Sequence, residues 1–247
     1  GGDSSTVASD LSSGVSSIVS NILAFAALKE DGSVVTWGQG RDGGDSSSVA
    51  SSLTNGVTSI VGGGSAFVAL KSDGTIVTWG SSNSGGDSAS VADSLTNVSS
   101  IVSNYYAFAA LKSNGSVVTW GDDTNGGNSS SVASSLSSDV TSIVSTYYGA
   151  IAALKSDGSV VTWGESSYGG DSSSVDLSSG VSSIVSTGNA FAAIKEDGSV
   201  VTWGRDSYGG DSSSVQNDLT AKSLKHTYTI ENNDIPNDEE ESSFDAT

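Results

Sequence analysis

AFAALKEDGSVVTWG, residues Ala24 to Gly38, decides the fold, because it returns four more times with few changes: Ala66 to Gly80, Ala107 to Gly121, Ala150 to Gly164 and Ala190 to Gly204. Apolar runs on either side of Asp-Gly or Asn-Gly read as a β-hairpin, since a two-residue type I′ turn needs residues that tolerate positive φ. With Asp31-Gly32 as that turn, Glu30 faces Ser33, Leu28 faces Val35, Ala26 faces Trp37 and Phe25 faces Gly38. One face then carries Ala24, Ala26, Leu28, Val35 and Trp37, and the other Phe25, Ala27, Val34 and Thr36. Both faces are apolar, so the sheet has to be covered on both sides. The simplest cover is the next copy.

Working outward, the tryptophans Trp37, Trp79, Trp120, Trp163 and Trp203 are spaced 42, 41, 43 and 40 residues apart, a period that fits propeller blades and some solenoids. Each unit opens on a GGDSSSV-like segment, at Gly1, Gly43, Gly85, Gly126, Gly169 and Gly209, giving six starts for five hairpins. Apolar residues four apart follow, as in Val49 and Leu53, and read as one face of a short helical turn with the preceding Asp or Asn as its N-cap. In the fifth unit Val175 and Leu177 are only two apart, which suits an outer connector rather than a core strand. A β-branched segment such as Val57 to Val61 then supplies another strand. The expected class is all-β: a β-propeller of five to six blades, each a short antiparallel sheet plus a helical-turn connector. An open solenoid of stacked units is the alternative closure.

The expected domain spans residues 1–230, with a degenerate sixth unit from 209, Ser223 to Ile230 making a strand of that unit or a ring-closing strand, and residues 231–247 as an acidic tail or linker. The chain opens inside a repeat and lacks methionine, which reads as a processed product or a fragment. Nine Lys and Arg stand against 28 Asp and Glu, and seven of the acids lie in the last 17 residues. A phosphate-binding groove needs clustered cations, so nucleic acid is not an expected partner, and no apolar run is long enough for membrane insertion. Without cysteine there is no thiol chemistry or disulfide framework.

The repeated run apolar-Ala-Leu-Lys-x-Asp-Gly-x-Val-x-x-Trp-Gly resembles the repeat of the regulator of chromosome condensation family, over residues 1 to about 210. Its short period is nearest to bacterial members of that family. The resemblance implies a β-propeller. Two features depart from the family pattern: Gly-Gly-Asp-Ser-Ser replaces the usual Gly-Gln-Leu-Gly after Trp-Gly, and the familiar blade number is seven. The acidic chain also argues against the chromatin contacts of eukaryotic members, which call for basic surface. A family fold does not transfer a partner.

Strand direction places the loop before each hairpin and the loop after each Trp-Gly on one face, with the Asp-Gly turns on the other. Differences among copies concentrate on that first face. Tyr105, Tyr106, Tyr147 and Tyr148 fall in equivalent loops of adjacent units, Tyr168 and Tyr208 in the other loop set, and Arg41 and Arg205 beside them. Tyr and Arg are favoured at protein interfaces, and aromatic rings also stack on sugars. The bland alternative packs these tyrosines between blades. Lys29, Lys71, Lys112, Lys155 and Lys195 recur beside the turns and are expected to lay their stems over neighbouring blades. The series Asp3, Asp45, Asp87, Asp171 and Asp211 looks like a calcium ring, but Asn128 replaces one member, which favours capping over a metal.

Catalysis finds no constellation in the sequence: His226 is the single histidine, outside the repeats, and no Gly-x-Ser-x-Gly elbow occurs. No cofactor is expected. The sequence points to a non-enzymatic extracellular or cell-surface module, part of a longer secreted protein, that binds a protein partner or a surface or matrix component. The alternative is a glycan-binding lectin, with an enzyme third.

Overall fold

The structure, a computed structural model, describes residues 2–215 and Leu219. It contains five antiparallel three-stranded sheets, each in simple sequence order. Blade 1 is β1 (Val15–Ser20), β2 (Ala24–Lys29) and β3 (Val34–Gly38). Blade 2 is β4 (Val57–Gly62), β5 (Ala66–Lys71) and β6 (Ile76–Gly80), and blade 3 is β7 (Val98–Ser103), β8 (Ala107–Lys112) and β9 (Val117–Gly121). Blade 4 is β10 (Val140–Ser145), β11 (Ala150–Lys155) and β12 (Val160–Gly164), and blade 5 is β13 (Val181–Ser186), β14 (Ala190–Lys195) and β15 (Val200–Gly204). The described residues form an all-β, five-blade propeller whose connectors carry short 3-10 turns and, at Asp123–Gly127, a π turn. The expected strand at Ser223 to Ile230 and the acidic tail lie outside the described residues.

The hairpin register differs by one residue from the sequence expectation. Phe25 pairs with Trp37, Ala27 with Val35 and Leu28 with Val34. Lys29 N–H donates to the Ser33 carbonyl at 2.9 Å, so the loop has three residues, Glu30, Asp31 and Gly32, with Gly32 at φ 78°. A three-residue loop ending in a left-handed glycine is the next most common hairpin connection after the two-residue turn. A slip of one residue moves a whole strand to the other face. Val35 and Trp37 therefore join Phe25 and Ala27, and the two rings stack at 5.1 Å between centroids. The same stack recurs at Phe67–Trp79, Phe108–Trp120 and Phe191–Trp203, while Ile151 takes the aromatic position beside Trp163.

The corrected register gives every blade two different faces. The Ala24, Ala26 and Leu28 face of blade 1 packs on Ile60, Phe67, Ala69 and Trp79 of blade 2. In the next interface Ala66 and Val68 of blade 2 meet Phe108, Ala110 and Trp120 of blade 3. Blades 3 and 4, and blades 4 and 5, join in the same sense. Small residues thus receive the large aromatic pair of the following blade, which lets sheets interdigitate without voids. Four of the five tryptophans also donate the indole N–H to a buried carbonyl: Trp79 to Gly43, Trp120 to Gly85 and Trp163 to Gly126 at 3.0 Å, and Trp203 to Gly169 at 3.1 Å. At Gly43 φ is 98°, and a Cβ would sit 2.6 Å from the Phe67 ring, so glycine is required there twice over.

Each first strand carries a bulge near its start. The extra residue is Ser or Thr, and its hydroxyl bonds back to the second strand, as Ser99 does to the Leu111 carbonyl at 2.9 Å. The connectors run along the outer strand, where Thr36 Oγ1 donates to the Gly44 carbonyl and Val117 N–H to the Leu136 carbonyl. The expected N-cap is a variant: Asp45 Oδ1 accepts from Ser47 N–H at 2.9 Å, one position before the cap, in a 3-10 rather than an α turn. Asn128 makes the same bond to Ser130, which shows that the position needs an oxygen and not a charge. Lys29, Lys71, Lys112 and Lys195 turn to their own units and not over neighbouring blades as expected. Lys71 Nζ instead closes its own unit by donating to the Ser52 carbonyl at 2.9 Å, and Lys112 does so to Ser94 at 2.7 Å.

Candidate functional site

The loop before each hairpin and the loop after each Trp-Gly meet at one end of the blades, as strand direction requires. Gln39 N–H donates to the Leu23 carbonyl, Asp122 N–H to Tyr106 and Arg205 N–H to Asn189. Neighbouring pre-hairpin loops are also laced together. Gly64 N–H donates to the Tyr105 carbonyl at 3.0 Å, Tyr105 N–H to Tyr147 at 2.9 Å and Tyr148 N–H to Gly188 at 3.2 Å.

On this lacing five tyrosines form one continuous ridge. Tyr106 lies 4.6 Å from Tyr105, Tyr105 lies 5.6 Å from Tyr147, Tyr147 lies 4.9 Å from Tyr148, and Tyr148 lies 5.6 Å from Tyr168, all between ring centroids. The rings are tilted or edge-on, the arrangement aromatic quadrupoles prefer. Tyr147 and Tyr148 are exposed, at 45% and 42%, whereas Tyr168 leans on the core between blades 4 and 5. The sequence alternatives of display and packing therefore apply to different members. Burial, followed by the neighbouring Tyr105, Tyr148 and Tyr106 hydroxyls, raises the pKa of Tyr147 above the ordinary tyrosine value.

The other sequence candidates stand apart from the ridge. Arg205 covers the Tyr208 ring at 4.8 Å, a cation–π pair after blade 5. Arg41 is exposed in the turn between blades 1 and 2, whereas the ridge begins in blade 3.

Two positioning residues escaped the sequence reading. Asn104 is buried, accepts from Tyr106 N–H and Ala107 N–H at 2.8 Å through Oδ1, and donates from Nδ2 to the Asn125 carbonyl at 2.8 Å. Thr146 is fully buried and accepts from Ala150 N–H at 3.0 Å. Each opens a loop that displays a tyrosine pair. A polar residue at the first loop position in four of the five units, namely Asn21, Asn104, Thr146 and Thr187, was the available signal.

Among the described residues no three His, Cys, Asp or Glu side chains converge as a metal site would require. Asp3, Asp45, Asp87, Asp171 and Asp211 each accept a backbone N–H two residues on. Open grooves of about 470 and 650 Å³ flank the outer strands of blades 3 and 5, and the Asp87 and Asp211 carboxylates that line them are engaged in those turns.

No protein-family model matches the chain, and no curated protein sequence does either. Solved structures do match. Prp20p of Saccharomyces cerevisiae, the yeast RCC1, is 18% identical with a TM-score of 0.51, over 76% of this chain and 57% of that one. The fold is that of an RCC1-type repeat propeller. Human WBSCR16 matches at 16% identity and a TM-score of 0.51, over 77% of this chain and 61% of that one. The chain thus spans about three-fifths of the length of these RCC1-type structures. Prp20p is described with binding properties to Gsp1p and histones.

Proposed function

We propose that this chain is a non-enzymatic protein-binding module that uses its variable-loop face, with the tyrosine ridge as the central contact. The observation that carries the reading is the ridge itself: five adjoining rings from two blades, the middle pair exposed, on laced and therefore ordered backbone. Rigid aromatic surface of this kind supplies contact area at low entropic cost. The binding described for Prp20p supports a binding role at the level of the fold. Asp122, Asp123 and Glu165 border the ridge in the same loop set, which suits a partner with a basic rim. Tyr208 and Arg205, and Arg41 on the other flank, serve as secondary contacts. The high acidity and the Ser- and Gly-rich surface suit an extracellular or cell-surface setting with a protein or matrix component as partner.

The test replaces Tyr105, Tyr106, Tyr147 and Tyr148 together by Ser and compares capture of cell-surface proteins by the two chains. Capture by the parent and loss by the variant, at unchanged circular dichroism and with binding that weakens in salt, are the expected results. Equal capture by both chains would show that the ridge is not a binding surface, and unfolding of the variant would show that the tyrosines are core. A glycan panel addresses the lectin reading. A lectin would repeat one polar-aromatic set in every blade, whereas these loops differ from blade to blade, which favours one composite protein site.

A further inference from the structure

Among the described residues four blade interfaces are made and two matching faces are left over. Ile60, Ile143 and Ile184 are 8–9% exposed because the preceding blade covers them, but the equivalent Ile18 of blade 1 is 57% exposed. On the opposite kind of face, Leu28, Leu111 and Leu154 are 7–8% exposed under the following blade, but the equivalent Ile194 of blade 5 is 46% exposed and its neighbour Val185 is 62% exposed. Blade 1 thus presents an uncovered aromatic face, with Phe25 and Trp37 half-buried. Blade 5 presents an uncovered small-residue face, of the kind that receives an aromatic face elsewhere in the molecule.

Polar groups match in the same sense. At every internal interface a valine N–H of the later blade donates to the turn glycine carbonyl of the earlier one, from Val57 to Gly32 through Val181 to Gly158, at 2.9–3.0 Å. At the opposite end of the first strands a serine ladder joins the blades from 2 to 5, Ser103 Oγ to the Gly62 carbonyl, Ser145 Oγ to Ser103 and Ser186 Oγ to Ser145, at 2.6–2.9 Å. On the end faces the equivalent donors are Val15 N–H and Ser20 Oγ, and the equivalent acceptors are the Gly198 and Ser186 carbonyls.

We propose that the two end faces are halves of one heterologous interface, through which blade 5 of one chain docks on blade 1 of a second copy. A second copy fits because its own blade 1 brings the aromatic face, an N–H at the Val15 position and a hydroxyl at the Ser20 position, the same groups that continue the internal interfaces. The contact is head to tail, so it propagates into a ring if the rotation closes and a filament if it does not.

Sedimentation analysis of the full chain across concentrations tests this, together with the exposed-site variants Ile18→Glu and Ile194→Glu. The parent is expected to self-associate with rising concentration and each variant to remain monomeric. The decisive sample is the mixture: an Ile18→Glu chain keeps a sound blade 5 face and an Ile194→Glu chain a sound blade 1 face, so together they should form a dimer that grows no further. Val185→Glu gives an independent copy of the blade 5 block, and circular dichroism confirms folding of all three. A parent that is monomeric throughout, as it would be if residues 220–247 or the chain's own opposite end covered these faces, overturns the proposal. So does self-association of the single variants, or a mixture that stays monomeric.

Discussion

At the scale of single residues, the tryptophans show how one position serves two purposes. In blades 2 to 5 the indole fills the interface and satisfies the carbonyl of a glycine linker 34–37 residues earlier in the chain. Trp120→Phe keeps most of the ring but strands the Gly85 carbonyl, and should cost about 1–3 kcal/mol in urea unfolding. Trp37→Phe, in the half-covered end blade, should cost clearly less. Tyr147 gives a pH prediction. Its folded pKa is raised, so as pH climbs past the ordinary tyrosine value near 10 the unfolded chain ionises first. The stability this group contributes is complete below that value and is lost as pH rises through the raised one. Tyrosinate absorbance should show a late-titrating component that disappears in Tyr147→Phe. The aromatic candidates were legible in the sequence because internal copies expose which loops vary. Asn104 was not, because its importance lies in three backbone partners that only the folded loop brings together.

At the scale of elements, the hairpin turn explains both the success and the error of the sequence reading. Asp-Gly marks a turn either as a two-residue loop or as the end of a three-residue one, and the two differ by one residue of register. The deciding signal was the residue after glycine: Ser33, Thr75, Ser116, Ser159 and Ser199 all carry a hydroxyl. Ser33 donates both N–H and Oγ–H to Asp31 Oδ1, at 2.9 and 2.6 Å, and Asn114 receives the same pair from Ser116. The Ser33 hydroxyl, then its N–H, lowers the pKa of Asp31, as the equivalent groups do for Asp73, Asp157 and Asp197. For a lowered folded pKa the stabilisation is present above the ordinary aspartate value and is lost as pH falls through the depressed one. Replacing these four aspartates by Asn, as the third turn already has, should leave the fold intact and flatten the acid limb of a stability-against-pH curve.

At the scale of the whole molecule, the apolar character of both hairpin faces had already implied stacking of like on like, and all four internal interfaces follow it. Which face meets which depended on the register and so was not legible. Because the interfaces are equivalent, blade 2 should accept blade 4 in place of blade 3. Deleting residues 85–125 joins Ser84 to Gly126 and sets Ala66 and Val68 against Ile151, Ala153 and Trp163. The shortened chain is expected to fold with the same circular dichroism per residue and to melt at a lower temperature, since stability in such arrays adds by nearest neighbours. Loss of the cooperative transition would show instead that the interfaces are not interchangeable.

The indole bond to the upstream glycine linker has a consequence for how such a chain comes into being. A blade emerging from the ribosome has its docking surface already folded ahead of it, and its own tryptophan, near the end of its third strand, seals the junction behind. Assembly is therefore expected to proceed in the direction of synthesis without waiting for the last repeat. In genetic terms, an in-frame gain or loss of one repeat by unequal recombination would bring together the same two kinds of face that meet at the existing junctions.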